Sequence, residues 1–196
     1  MPQNTIVIAS SNKGKLREIQ DILASLNVEV VTVPSEILDG IEETGATFAE
    51  NALIKARAIA ERTGRIAIAD DSGLEVDALE GAPGVLSSRF AENDTMRVSK
   101  LLDMLEGVPL NERSARFRCS VAIASPSGKT AVTEGTAEGL ISTEPKGENG
   151  FGYDPVFYYP SLGRTFAEMT AEEKRAVSHR GKALARLKEL ISEFLD

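Results

Sequence analysis

Ile66-Ala67-Ile68-Ala69-Asp70-Asp71-Ser72-Gly73-Leu74 is an apolar run that ends in two adjacent carboxylates and a Ser-Gly pair. Residues 66–69 read as a buried strand. A strand that delivers acids to its end is how many α/β proteins place a metal-binding or base carboxylate at a sheet edge. Successive side chains of a strand point to opposite faces. If extended geometry persists through the acids, only one of Asp70 and Asp71 faces a given pocket. One is then chemical and the other structural.

The pattern on either side of this stretch is α/β. Residues 5–9 read as a first buried strand, and residues 10–15 turn the chain into a helix carrying the stripe Leu16, Ile19, Leu23 and Leu26. Residues 28–33 form a second strand stopped by Pro34, followed by a polar loop up to Glu42-Glu43-Thr44-Gly45. Thr47-Phe48-Ala49-Glu50 is a capping box, opening a helix that runs to about Arg62 and ends at Gly64. Gly81-Ala82-Pro83-Gly84 is loop, and residues 94–105 are helical in pattern. Residues 115–124 and 129–139 alternate around Ser125-Pro126-Ser127-Gly128, a long hairpin. Residues 156–159 make a short strand. Thr170-Ala171-Glu172-Glu173 caps a short helix, and a last helix carries Leu184, Leu187, Leu190, Ile191 and Phe194. Early helix–strand alternation with a later hairpin predicts an α/β fold: a mixed sheet with flanking helices, split into two lobes around a central cleft. With 196 residues and no repeat or linker, one domain spans 1–196.

A net charge of −8 argues against general affinity for nucleic-acid backbone, while leaving room for a small anion in a local basic pocket. No apolar run approaches membrane-spanning length, and the N-terminus lacks a basic leader pattern, so a cytoplasmic protein is expected. Cys119 is the only cysteine. It shares a strand face with Ala115, Phe117 and Val121, which reads as a reduced core thiol.

Ser10-Ser11-Asn12-Lys13-Gly14-Lys15 lies between a strand and a helix, where open backbone N–H groups and the helix dipole suit phosphate. It is not a P-loop, since Leu16 stands where a Mg²⁺-binding hydroxyl is needed. An ordinary helix cap with solvated lysines explains the segment equally well. Asn51 and Lys55 share one face of the second helix, and Glu50 is accounted for by the capping box. Glu42 and Glu43 gain interest because nucleotide-bound Mg²⁺ takes one or two protein carboxylates plus phosphate oxygens. Phe151, Gly152, Tyr153 and Asp154 combine rings, a small residue and an acid, suited to stacking on a planar base or, more simply, to a turn with a core ring. His179, the sole histidine, begins the final helix beside Arg180. No Ser-His-Asp, Cys-His or multi-His pattern can be built around it.

Taken together, six segments resemble the non-canonical purine NTP pyrophosphatases. They are Ser10-x-Asn12-x-x-Lys15, the run from Glu42 to Ala52, Ala69-Asp70-Asp71-Ser72-Gly73-Leu74, Gly81-Ala82-Pro83-Gly84, Phe151-Gly152-Tyr153-Asp154-Pro155 and Ser178-His179-Arg180-Gly181. They occur in the family's order across nearly the whole chain. The resemblance implies a homodimeric, Mg²⁺-dependent enzyme with an elongated mixed sheet. It would hydrolyse ITP, dITP and XTP at the α–β phosphoanhydride, giving monophosphate and pyrophosphate, and so clear deaminated purines from the nucleotide pool. It also implies roles. Residues 10–15 would cradle the triphosphate with Lys55 as a further cation, Asp71 would activate water at the metal, and Glu42 or Glu43 would help bind that metal. Ser72 would contact substrate, Phe151 would stack on the base, and Asp154, Lys174, His179 and Arg180 would contact the base. Two alternatives stand beside this: a Maf-type pyrophosphatase for other modified or pyrimidine nucleotides, and a nucleotide-binding module without hydrolysis.

Overall fold

The computed structural model describes residues 5–195; the expectation about the N-terminus falls in part on residues 1–4, outside the described residues. In chain order the elements are β1 (Thr5–Ile8), α1 (Lys13–Leu23), β2 (Glu29–Thr32), α2 (Ser35–Leu38), α3 (Phe48–Thr63) and β3 (Ile66–Val76). Then follow α4 (Asp94–Met104), β4 (Ser114–Ala124), β5 (Thr130–Ile141), β6 (Phe157–Tyr159), β7 (Arg164–Thr165), α5 (Ala171–Val177) and α6 (His179–Leu190). The strands form one sheet in the order β2-β1-β3-β4-β5-β6-β7. β1 is parallel to β2 and β3, whereas β5, β6 and β7 pair antiparallel, so the sheet is mixed as expected.

Two compact units divide the chain. The first holds the residues up to Asp71, Cys119–Gly135 and those from Arg180 onward; the second holds Ser72–Arg118 and Thr136–His179. β3, β4 and β5 each contribute residues to both.

In the first unit the alternation of β3 sorts its side chains into two cores. Ile66 and Ile68 pack with Ile19 and Leu23 of α1 and with Leu184 and Leu187 of α6. Ala67 and Ala69 pack with Ala52, Ala56, Ile59 and Ala60 of α3. Alanines on both sides of that second contact let α3 lie close to the strand. The capping box is present: the Thr47 hydroxyl accepts from Glu50 N–H at 3.2 Å and the Glu50 carboxylate accepts from Thr47 N–H at 3.3 Å, with Gly64 ending the helix. In the second unit Phe117, Phe157 and Phe166 centre the core, with Leu74, Leu101 and Leu105 around them. Each such fully buried aliphatic or aromatic side chain contributes about 1.5–3 kcal/mol.

Four features differ from the expected pattern. β3 does not stop at the acids but runs eleven residues through Asp70, Asp71 and Ser72 to Val76. The loop after Pro34 contains α2, whose Ile37 and Leu38 pack on the α3 core; four residues are too few to show a helical period. β7 has two residues and is equally illegible. The last helix ends at Leu190 and tightens into a 3-10 turn, Ile191–Phe194, a common way to finish a helix.

Candidate active site

Because β3 stays extended, Asp70 continues the Ile66–Ile68 face and Asp71 continues the Ala67–Ala69 face. The two carboxylates therefore meet different partners. Asp70 is fully buried, and its Oδ2 receives Lys15 Nζ at 3.1 Å, Arg180 Nε at 3.1 Å and Arg180 Nη2 at 3.0 Å. Arg180 also donates through Nη1 to Glu18 Oε2 at 2.5 Å. Burial disfavours the charge on Asp70, but Lys15, Arg180 and Lys55 outweigh it and hold the carboxyl well below the usual range. Burial likewise disfavours the Arg180 cation, which Asp70 and Glu18 keep firmly protonated.

Asp71 lies against α3. Asn51 Nδ2 donates to its Oδ2 at 3.2 Å, and Lys55 Nζ is 3.6 Å from its Oδ1. Asn51 Oδ1 in turn accepts from Gly45 N–H at 2.8 Å, tying the acidic loop to the same helix. Lys55 Nζ is also 2.9 Å from Glu43 Oε1. Burial pushes the Asp71 carboxyl up; Lys55 and Lys15 oppose this, and Glu43 adds to it. Burial opposes the charge on Lys55 too, but Asp71, Asp70 and Glu43 raise its pKa overall. Of the two loop acids it is Glu43 that joins this group, while Glu42 is exposed.

The segment before α1 is a helix cap with cations around it. Asn12 Oδ1 accepts from Gly14 N–H at 2.9 Å and Lys15 N–H at 3.1 Å, and Ser10 Oγ accepts from Asn12 N–H at 3.2 Å. Asn12 thus takes two of the four amides that a helix start leaves open. What faces an anion here is the exposed Ser11 and Lys13 and the partly exposed ammonium of Lys15.

Among the described residues there is no group of three or more His, Cys, Asp or Glu that could hold a metal alone. Asp71 and Glu43 do flank one ammonium, so two carboxylates face one cation with a surplus negative charge. That donor set fits a hard divalent cation whose remaining ligands are water and phosphate oxygens.

The second unit builds a separate cluster. Phe151 N–H donates to Asp154 Oδ2 at 2.8 Å, and Lys174 Nζ donates to the same oxygen at 2.6 Å. The Lys174 ammonium sits 4.7 Å from the Phe151 ring centroid, within cation–π range. Gly150 has φ +77°, and a Cβ there would lie 2.0 Å from Asp154 Oδ2, so only glycine permits this turn. Gly152 N–H donates to Asp94 Oδ2 at 2.7 Å, and Tyr153 is buried with its hydroxyl donating to Ser87 O at 2.9 Å. Burial raises the Tyr153 phenol, which stays protonated. His179 is buried and stacks on Phe117, with centroids 4.6 Å apart and planes 12° from parallel. Beside the Phe151 loop lies a cavity of about 410 Å³, lined in part by Asp94, Val98, Leu102, Asn149 and Phe151.

The structure thus gathers Lys15, Lys55, Glu43, Asp71 and Arg180 in one unit and Phe151, Gly152, Tyr153, Asp154, Lys174 and His179 in the other. Ser72, half-buried, directly follows Asp71 on β3. Arg180 carries its guanidinium against Asp70 and Glu18 and is 1% exposed. Sequence reasoning did not find Glu18 or Asp94; each acts on a residue far along the chain, and neither sits in a recognisable motif. Cys119 is buried as expected, its thiol pushed up to about 12 by burial.

The profile of the Ham1 family matches residues 6–190. The chain belongs to the Ham1 family. This Ham1-family chain is 52% identical over 193 residues to the dITP/XTP pyrophosphatase of Desulforamulus reducens, covering 96% of each chain. It is 50% identical over 198 residues to the dITP/XTP pyrophosphatase of Geobacillus kaustophilus, covering 97% of this chain and 95% of that one. A HAM1 protein from Coxiella burnetii superposes with a TM-score of 0.86 at 46% identity, over 97% of this chain and 99% of that one. The Staphylococcus aureus Ham1 protein does so with a TM-score of 0.84 at 41% identity, over 96% and 98%. The mixed α/β fold and the family resemblance read from the sequence both hold for this Ham1-family chain.

Proposed function

We propose that this chain hydrolyses the non-canonical purine triphosphates dITP, XTP and ITP at the α–β phosphoanhydride, releasing monophosphate and pyrophosphate. The observation that carries this reading is the group made by Asp71, Lys55, Glu43 and Asn51, with Lys15 acting on the same carboxylate: two cations and two acids for a metal, one of the acids serving also as the base. The names of relatives about half identical to this chain agree with it.

In this reading Asp71 accepts the proton of a water whose oxygen bonds to the α phosphorus. The bridging oxygen leaves with the pyrophosphate, and no covalent enzyme intermediate forms. Lys15 and Lys55 stabilise the leaving charge, and residues 10–14 hold the distal phosphates through Ser11, Lys13 and the remaining amides. Asp71 and Glu43 would hold Mg²⁺, which would supply positive charge against the negative charge of the triphosphate. Asn51 orients Asp71. Arg180 acts as a positioning residue through Asp70, since its guanidinium is bound there and to Glu18.

The Phe151 cluster takes the base. A 6-oxo purine offers an O6 acceptor and an N1–H donor, and adenine reverses both. The Lys174 donor and the Asp154 acceptor, with His179 nearby along the chain, favour the first pattern. Leaving such buried groups unmatched costs about 1–3 kcal/mol each. A cytoplasmic homodimer completes the reading.

The test is pyrophosphate release from dITP, XTP, ITP, GTP, ATP, UTP and dTTP, with and without Mg²⁺. Rapid release from the first three alone is expected, and preference for a pyrimidine or a standard purine overturns the assignment. Asp71→Asn should abolish turnover and leave nucleotide binding largely intact; near-normal turnover removes Asp71 from the role of base.

A further inference from the structure

Phe151 stands between Gly150 and Gly152, both at positive φ. Glycine flanks leave a segment conformationally broad, and a ring that stacks on a base must be held in place. The two amides on either side of the Phe151 Cα are each held by a carboxylate. Asp154 Oδ2 accepts from Phe151 N–H at 2.8 Å, three residues away. Asp94 Oδ2 accepts from Gly152 N–H at 2.7 Å, across 58 residues of sequence.

Asp94 is itself fixed. Its Oδ1 receives Arg97 Nη1 at 2.7 Å, and Arg97 Nε donates to Ala91 O at 3.1 Å. Capping of α4 does not account for the contact. Asn93 performs that task, its side chain accepting from Met96 N–H at 2.9 Å. The Asp94 side chain is 49% exposed, and its bonds to Gly152 and Arg97 both lie at the surface, where water can replace them. The bond to Gly152 is charge-assisted and falls in the short, strong range.

We propose that Asp94 is a positioning residue for base recognition: it clamps the Gly152 amide from the first turn of α4 and so holds the Phe151 ring in the pose that receives the purine. The role rests on the functional reading above. The ring contacts the base before and during the reaction alike, so the clamp contributes uniform binding and shows in KM rather than in kcat.

The test compares wild type, Asp94→Ala and Asp94→Asn in dITP hydrolysis, with backbone hydrogen exchange read at Gly152 and Val156. Asp94→Ala should raise the KM for dITP roughly tenfold, the equivalent of one lost charge-assisted bond. Its kcat should stay within about twofold of wild type. Asp94→Asn keeps an acceptor and should recover much of the KM. Exchange at Gly152 should quicken in the alanine variant while Val156 stays protected. An unchanged KM in Asp94→Ala overturns the role, and so does a KM rise accompanied by lost protection at Val156, which marks a general loosening. A wild-type protein that neither binds nor cleaves dITP overturns the functional reading itself, whereas wild-type turnover with an indifferent Asp94→Ala overturns the clamp alone.

Discussion

Asp70 and Asp71 are chain neighbours with opposite electrostatic outcomes. Strand alternation was enough to predict that they would part. It could not say what each would meet, because Arg180 lies 110 residues beyond Asp70 and only tertiary folding brings it there. Asp70 is the anion that allows Arg180 to be buried and that holds the partly exposed Lys15. Asp70→Asn leaves Lys15 and Arg180 facing a neutral amide, with Glu18 still beside Arg180. Breaking one side of a buried pair destabilises by about 3 kcal/mol. Urea unfolding should show that loss, and a midpoint equal to wild type would mean the cluster contributes nothing. The acid limb gives a second reading. The folded carboxyl of Asp70 lies below its unfolded value. Its stabilisation is therefore fully present above the ordinary aspartate pKa, about 4, and is lost as pH falls through the lowered value. Metal-free Asp70→Asn should accordingly lose less stability on acidification than wild type. Parallel acid limbs would rule out this linkage.

At the scale of elements, α3 was the most legible part of the chain. Its capping box and its terminal Gly64 are local signals, and the helix begins and ends where they fall. The helix matters because it presents Asn51 and Lys55 to Asp71, and the loop before it is fitted to that task. Gly45 shows how closely. A Cβ at Gly45 would lie 2.6 Å from Glu50 Cβ and 2.8 Å from Asn51 Oδ1. Gly45→Ala must therefore push the acidic loop off the helix start, drawing Asn51 from Asp71 and Glu43 from Lys55. Overpacking of this kind costs about 1–3 kcal/mol. Its functional effect should be larger, since a small misplacement of catalytic groups costs up to about a hundredfold in rate. A fall in kcat/KM well beyond the shift in thermal stability is expected. Activity within about twofold of wild type would show that the loop position is not critical. By contrast, α2 and β7 escaped sequence reading because elements of four and two residues carry no measurable period. The Asp94 contact escaped because an exposed acid in a first helical turn looks like ordinary dipole compensation.

For the whole molecule, the mixed sheet was legible as a class, while the order of its strands was not. β1 lies between β2 and β3, a pairing set by long crossovers rather than by any local turn. The division into two units also cuts through motifs that look continuous in sequence: it passes between Asp71 and Ser72 and between His179 and Arg180. The tandem His-Arg accordingly splits its work, the imidazole stacking on Phe117 in one unit and the guanidinium pairing with Asp70 in the other. Charge sets a further condition on the molecule. It carries −8 overall, and the polar group of the first unit counts Lys13, Lys15, Lys55 and Arg180 against Glu18, Glu43, Asp70 and Asp71, four positive charges against four negative. A triphosphate approaching such a group finds its cations already balanced by carboxylates, so little net attraction remains unless a divalent cation comes with it. Chelation by EDTA should therefore do two things at once: stop pyrophosphate release and weaken binding of dITP itself. Restoring Mg²⁺ should recover both, and Glu43→Gln should need more Mg²⁺ to reach half-maximal rate while Glu42→Gln does not. Full turnover in EDTA would mean that the lysines alone manage the phosphate charge, and the surplus carboxylate beside Lys55 would then have no part in the reaction.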